Sequence, residues 1–270
     1  MQKLTTAMLD LGPTRLYHEV RGTGPLVLMI AGATGDAGQF EPVATRLAER
    51  YTVVTYDRRG NSRSPRPDGW TTTTMEEQAD DAAALVRRLG RGPAIVFGTS
   101  GGAIITLALV LRHPEVVAGA ILHEPPLAAV VPGVDDELAH LKRSIAETAA
   151  AYGPASAVEA FVRSQAGAAY DAIAPGTRLR MLGNADTLFG AELDAFVTWR
   201  PDDAALAASQ VPARVLLGTE TTPMFEHAAR WVAERLGAPI GRLAGAHAPY
   251  FDRPDATADA LRALIEELAR

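Results

Sequence analysis

The sequence predicts an α/β fold: a mostly parallel sheet with helices on both faces, interrupted by one helical insertion. Three observations predict it. Short, continuous apolar runs recur, such as LVLMIA over Leu26–Ala31, and runs of this kind suit strands buried on both faces of a sheet. Segments with helical periodicity separate these runs, the alternation that a parallel sheet requires. The alternation stops at Leu127 and resumes only near Val215.

The elements follow in order. Leu16–Val20 reads as an early strand ended by RGTGP, a cluster of turn residues. Leu26–Ala31 is the next strand and leads into the glycine loop Gly32-Ala33-Thr34-Gly35. A helix is expected over Gln39–Arg50, then a buried strand over Thr52–Tyr56 that ends at Asp57-Arg58-Arg59-Gly60. Met75–Leu89 is amphipathic, with acidic residues near its start, where a helix N-terminus favours them. Ala94–Phe97 is a strand, Gly101–Arg112 an apolar helix stopped by His113-Pro114, and Val117–Leu122 a strand that runs into His123-Glu124-Pro125-Pro126. Residues 127–208 read as several helices without a strong strand. Val215–Leu217, Phe225–Leu236, Ile240–Leu243 and Ala256–Ala269 then restore strand, helix, strand and helix.

Composition sets outer limits. A chain of 270 residues with 47% hydrophobic content can bury the core of one large α/β domain. Its net charge of −6 gives no basic footprint for nucleic acid. With no cysteine, the chain has no disulfide, no thiolate nucleophile and no cysteine metal site. The stretch MQKLTTAMLD lacks the apolar core of a signal peptide. No apolar run reaches the roughly 18 residues that cross a bilayer. A cytoplasmic protein with no membrane partner is expected, and a homodimer stays open.

The stretch IVFGTSGGAII, Ile95–Ile105, holds the main chemical signal. Gly98-Thr99-Ser100-Gly101-Gly102 matches G-x-S-x-G between a predicted strand and a predicted helix, the context this motif needs. Gly98 and Gly102 stand where strand and helix nearly touch, so a side chain at either would open the turn. Ser100 would then occupy a strained backbone conformation with its hydroxyl above the sheet. The helix starting at Gly101 would aim free N–H groups at the same point, favouring negative charge there. The motif alone also fits an ordinary turn or an anion-binding glycine loop. A phosphate loop is excluded, because Ala103 stands where it needs lysine.

A serine nucleophile needs a base. Of the six histidines, His18 lies in a strand, His113 caps a helix beside a proline, His140 and His227 sit on solvated helix faces, and His123 ends a strand. His247 lies in Gly245-Ala246-His247-Ala248-Pro249, after the last strand and before the last helix. That places it at the carboxyl edge of the sheet with Ser100, where ligands gather in open α/β sheets.

These residues together resemble an α/β-hydrolase. The resemblance rests on the Gly98–Gly102 elbow, the Asp57–Ser64 stretch after a strand, the Ala31-Gly32-Ala33 loop and Gly245-Ala246-His247. It implies the α/β-hydrolase fold with a helical cap insertion, residues 1–126 and 209–270 forming the core and 127–208 the cap. It implies Ser100 as nucleophile and His247 as general base. Gly101 and Ala33 would be the backbone donors to the oxyanion, with the Thr34 hydroxyl as an addition. Neither a cofactor nor a metal is implied. The Asp57-Arg58-Arg59-Gly60 stretch corresponds to a structural turn.

The acid departs from the family pattern. Its usual G-x-x-D falls on Gly218-Thr219-Glu220-Thr221, where Thr221 cannot carry charge. Glu220 is one residue early. Glu124 ends the strand after the elbow helix, and certain haloalkane dehalogenases take their acid from the similar place. A carboxylate at a buried strand end is costly without a partner, and a histidine would supply one. Glu124 is therefore preferred, with Glu220 as the alternative.

Two functions follow. One is a serine hydrolase of a partly apolar, small-molecule ester or lactone, working through an acyl-enzyme; carbon–carbon bond hydrolysis and perhydrolysis would use the same triad. The other is a non-hydrolytic protein of this fold, binding a small molecule or acting as a biosynthetic cyclase or lyase. The reactivity of Ser100 separates them. The cap's apolar residues, among them Leu127, Val130, Phe161, Phe189, Phe196 and Trp199, are expected mostly to pack, with a few lining the pocket.

Overall fold

The computed structural model describes residues 4–12 and 14–270. Positions 1–3 and 13, which include the start of MQKLTTAMLD and of the expected 1–126 core segment, lie outside it. Eight strands form one sheet in the order β1-β2-β4-β3-β5-β6-β7-β8. They are β1 (Thr5–Asp10), β2 (Arg15–Arg21), β3 (Leu26–Ile30), β4 (Thr52–Tyr56), β5 (Ala94–Thr99), β6 (Val117–His123), β7 (Ala213–Gly218) and β8 (Ile240–Leu243). β2 pairs antiparallel with β1 and β4, and all pairings from β4 to β8 are parallel.

The parallel strands are apolar because both of their faces are covered. In β3, Leu26, Leu28 and Ile30 point into a core built with α2 (Met75–Leu89), α3 (Gly101–Arg112) and α10 (Pro223–Leu236), while Val27 and Met29 point into one built with α1 (Glu41–Leu47) and α12 (Pro254–Leu268). α2 shows how its ends were set. The Thr74 hydroxyl accepts from the Glu77 N–H, and Gly90 closes the helix in the left-handed region at φ 61°.

Two elements differ from expectation. β1 was not signalled, because only Leu9 of its six residues is buried; an edge strand with one thin apolar contact carries no alternation to detect. The expected helix over Gln39–Arg50 splits into a 3-10 turn, Ala37–Phe40, and the shorter α1. Asp36 caps the first piece by accepting from Gly38 N–H, and Pro42, which has no N–H to donate, sits in the first turn of the second.

Between β6 and β7 the chain is helical: α4 (Asp135–Tyr152), α5 (Pro154–Ala166), α6 (Pro175–Leu182), α7 (Ala185–Thr187), a π-helical turn Leu188–Glu192, α8 (Leu193–Thr198) and α9 (Asp203–Ala208). α5 buries Val158, Val162 and Ala166 in the same apolar cluster as Met29 and Phe97, whereas α4 has no fully buried residue. The short α11 (Pro249–Asp252) precedes α12. Among the described residues no helix is long and apolar enough to cross a membrane.

Candidate active site

The carboxyl ends of β3, β5, β6, β7 and β8 converge on one place, and each contributes a part. At the end of β5, Ser100 has φ 54° and ψ −130°, a conformation left mainly to glycine. Two close approaches enforce the bend. A Cβ on Gly98 would lie 2.3 Å from Gly102 O, and one on Gly102 would lie 2.1 Å from Ile30 O. The turn therefore needs glycine on both sides of the serine. The Ser100 N–H is fixed at 2.9 Å to His123 O, tying the elbow to the end of β6.

One residue beyond β6, Glu124 is fully buried and has a positive φ of 45°. Its Oε1 accepts from Gly218 N–H at 2.8 Å, and its Oε2 lies 2.6 Å from His247 Nδ1. Burial works against the Glu124 charge, but the hydrogen bond to His247 and the neighbouring imidazoles outweigh it, holding the carboxyl well below its ordinary range. A Cβ on Gly218 would meet Gly245 O at 2.6 Å, so glycine there allows β7 and the His247 loop to come together. Phe225 stacks on the His247 ring at 4.2 Å between centroids and fixes its plane.

Glu220 is elsewhere. Its side chain is 63% exposed and 3.6 Å from Arg253, and its N–H is bonded to Gly245 O at 3.0 Å. Thr221, at the position of the usual aspartate, borders the same cleft as Glu124 and His247. Ser100 and His247 line one small space of about 40 Å³ together with Gly32, Ala33 and Gln39. Ser100, Gly101 and Ala33 line a second space of about 100 Å³ with Leu138, Leu193, Phe196 and Met224. A cleft of about 820 Å³ reaches His247 from outside, and Gln165 borders all three. Thr34 does not line these spaces. It is buried, and its carbonyl accepts from Asn184. Of the other histidines, His140 and His227 are exposed, His18 is buried in β2, and His113 is held by Asp80.

The sequence did not signal three neighbours of this site. Arg58, expected to serve a turn, reaches the loop after β3, donating to Ala31 O and Gly32 O at 2.7 and 2.6 Å. Its charge is met by Glu192, also fully buried. Glu192 sits in a mixed polar and apolar helical stretch, where nothing distinguishes it from a solvated carboxylate. His123, fully buried, places Nδ1 2.9 Å from Thr99 Oγ1, and its Nε2 has no hydrogen-bond partner.

Burial pushes the His123 imidazole from its ordinary 6.5 down to about 4, against the opposing pull of Glu124. The unfolded chain therefore takes up a proton near pH 6.5 that the folded chain refuses until about pH 4. Stability from this residue is complete above pH 6.5 and is lost as pH falls towards 4. Thermal melts at pH 7.5 and 5 should show a larger drop for the wild type than for His123→Gln, by several degrees. Equal drops in the two proteins would refute the assignment.

A largely parallel sheet with a strained serine elbow and a late histidine loop at its carboxyl edge defines the α/β-hydrolase class. Comparison with known proteins agrees. The family model described as alpha/beta hydrolase fold matches residues 25–154. The chain is 43% identical over 130 residues to the uncharacterized hydrolase YraK of Bacillus subtilis, covering 48% of each protein. It is 35% identical over 113 residues to a 2-(acetamidomethylene)succinate hydrolase of Mesorhizobium japonicum, covering 42% of this chain and 40% of the relative. These matches thus span about half of each curated relative or less. The solved structure of a thermophilic esterase from Thermogutta terrifontis superposes over all of both chains with a TM-score of 0.78 at 23% identity. The chain thus has the α/β-hydrolase fold, and its residues 25–154 match the model of that family.

Proposed function

We propose that the protein is a serine hydrolase of a neutral ester or lactone, using Ser100, His247 and Glu124. The observation that carries this is the 2.6 Å contact between Glu124 Oε2 and His247 Nδ1, with the His247 ring and Ser100 bordering the same space. A carboxylate on Nδ1–H fixes the tautomer that leaves Nε2 free to accept a proton. Ser100 Oγ attacks the substrate carbonyl, and its proton passes to His247 Nε2. The oxyanion takes hydrogen bonds from the N–H groups of Gly101 and Ala33. Collapse of the tetrahedral species expels the alcohol, protonated by His247. The same base then activates a water that releases the acid and restores Ser100.

Among the described residues, no Asp, Glu, Lys or Arg lines the two spaces beside Ser100, and the larger is walled by Leu138, Leu141, Leu193, Phe196, Val197 and Met224. An apolar, uncharged acyl or alcohol group suits such walls, because a charge would be desolvated without a partner. Intact mass after incubation with a fluorophosphonate tests the reading. A single adduct on the wild type and none on Ser100→Ala is expected. No adduct on folded wild type would favour a non-hydrolytic protein of this fold.

A further inference from the structure

The hydrolase reading, on which this inference rests, requires the Ala33 N–H to face the oxyanion. The Gly32 carbonyl and the Ala33 N–H belong to one peptide unit, and in a trans peptide they point in opposite directions. Arg58 holds that carbonyl oxygen at 2.6 Å, the shorter of its two hydrogen bonds, the other coming from Gly35 N–H at 3.1 Å. Fixing the oxygen fixes the direction of the N–H, and a buried cation on the oxygen polarises the N–H as a donor. The remaining Arg58 donors go to Glu192: Nε and Nη2 reach its Oε1 at 3.3 and 3.0 Å, and Nη2 reaches its Oε2 at 2.8 Å. Asn61 Nδ2 also donates to Glu192 Oε1 at 2.9 Å.

Glu192 comes from the helical segment between β6 and β7, at the end of its π-helical turn, a geometry that recurs at functional positions. Four residues on, Phe196 packs on the other donor: a Cβ on Gly101 would lie 2.8 Å from the Phe196 ring. The Arg58 guanidinium stands 5.8 Å from the same ring. One stretch, 188–198, thus reaches the Gly101 donor directly through Phe196 and the Gly32–Ala33 peptide through Arg58.

We propose that this stretch positions the oxyanion hole. Glu192, acting through Arg58, orients the Gly32–Ala33 peptide, and Phe196 seats Gly101. A buried ion pair seldom outdoes an apolar pair in stability, so this charge pair serves geometry. Docking of the inserted helices is then a condition for fast chemistry as well as a wall of the pocket.

The test compares the wild type with Glu192→Gln and with the paired Arg58→Met/Glu192→Met. The pair removes both charges, so neither is left buried alone. Each protein is melted, assayed for kcat and KM on p-nitrophenyl acetate, and titrated with phenylboronic acid, whose tetrahedral adduct on Ser100 places an oxygen in the hole. In both variants kcat should fall about 10- to 100-fold with KM changed less than about threefold, and boronate affinity should fall in step with kcat/KM. The paired variant should stay folded, melting somewhat below the wild type because the Ala31 and Gly32 carbonyls lose a donor, and remain slow. Folded variants that keep kcat or boronate affinity would overturn the proposal. So would failure of both variants to fold, since the pair would then be structural alone. A folded wild type without ester turnover or boronate binding would instead remove the hydrolase reading.

Discussion

Ser100→Gly is expected to abolish turnover and at the same time raise the melting temperature. The two effects come from one residue through different physics. The hydroxyl is the nucleophile in the proposed mechanism, and its loss should lower kcat by about 10⁴-fold or more, as deletion of a triad nucleophile does in other serine hydrolases. The backbone at this position, φ 54° and ψ −130°, is one that an L-residue adopts only under strain. Such strain is of the order of 1–3 kcal/mol. Glycine relieves it but loses more chain entropy on folding, about 0.5–1 kcal/mol. The balance is a gain of about 1 kcal/mol, or roughly 2–4 °C for a chain of this size. Ser100→Ala separates the two effects: it is equally inactive but keeps the Cβ and the strain, so it should melt near the wild type. Turnover surviving in Ser100→Gly would remove Ser100 as the nucleophile. A glycine variant that melts below the alanine variant would refute the stored strain.

The parts of the fold legible in the sequence were those whose physics is local. The apolar runs of β3 and β4 suited strands covered on both faces, and Gly98 and Gly102 around Ser100 announced a turn that the structure shows to be closed to a Cβ at either glycine. β1 was illegible because an edge strand with one buried residue owes its existence to backbone pairing with β2, which leaves no apolar pattern. Glu192 was illegible for a different reason. Its partner Arg58 is 134 residues away, and only the folded chain brings the two together. The same holds for Gly218, whose glycine character is explained by the approach of the 245–246 backbone and whose N–H holds Glu124. The geometry of the proposed site lies at the ends of elements, where local propensity is weakest and contacts across the sheet decide position.

The choice of acid makes the second large prediction. Glu124→Gln should lower kcat by about 10²- to 10⁴-fold with little change in KM, while Glu220→Gln should stay within about twofold of the wild type. The Glu124 carboxylate is enclosed, with one oxygen taken by Gly218 N–H and the other by His247. An amide has only one oxygen for these two donors. If that oxygen keeps Gly218, the amide NH₂ faces His247 Nδ1 and selects the tautomer whose Nε2 already carries the proton, so the base cannot act on Ser100. If it keeps His247, Gly218 N–H is left buried opposite a second donor, a costly arrangement. In either case the negative charge that stabilises the imidazolium is gone. Glu220 has none of these ties: its carboxylate is mostly in solvent near Arg253, and screening leaves such a pair worth little. Steady-state kinetics on the two variants, each checked for folding, decide the matter. Full activity in Glu124→Gln would dismiss Glu124 as the acid, and a large loss in Glu220→Gln would mean that the exposed loop closes on His247 during turnover.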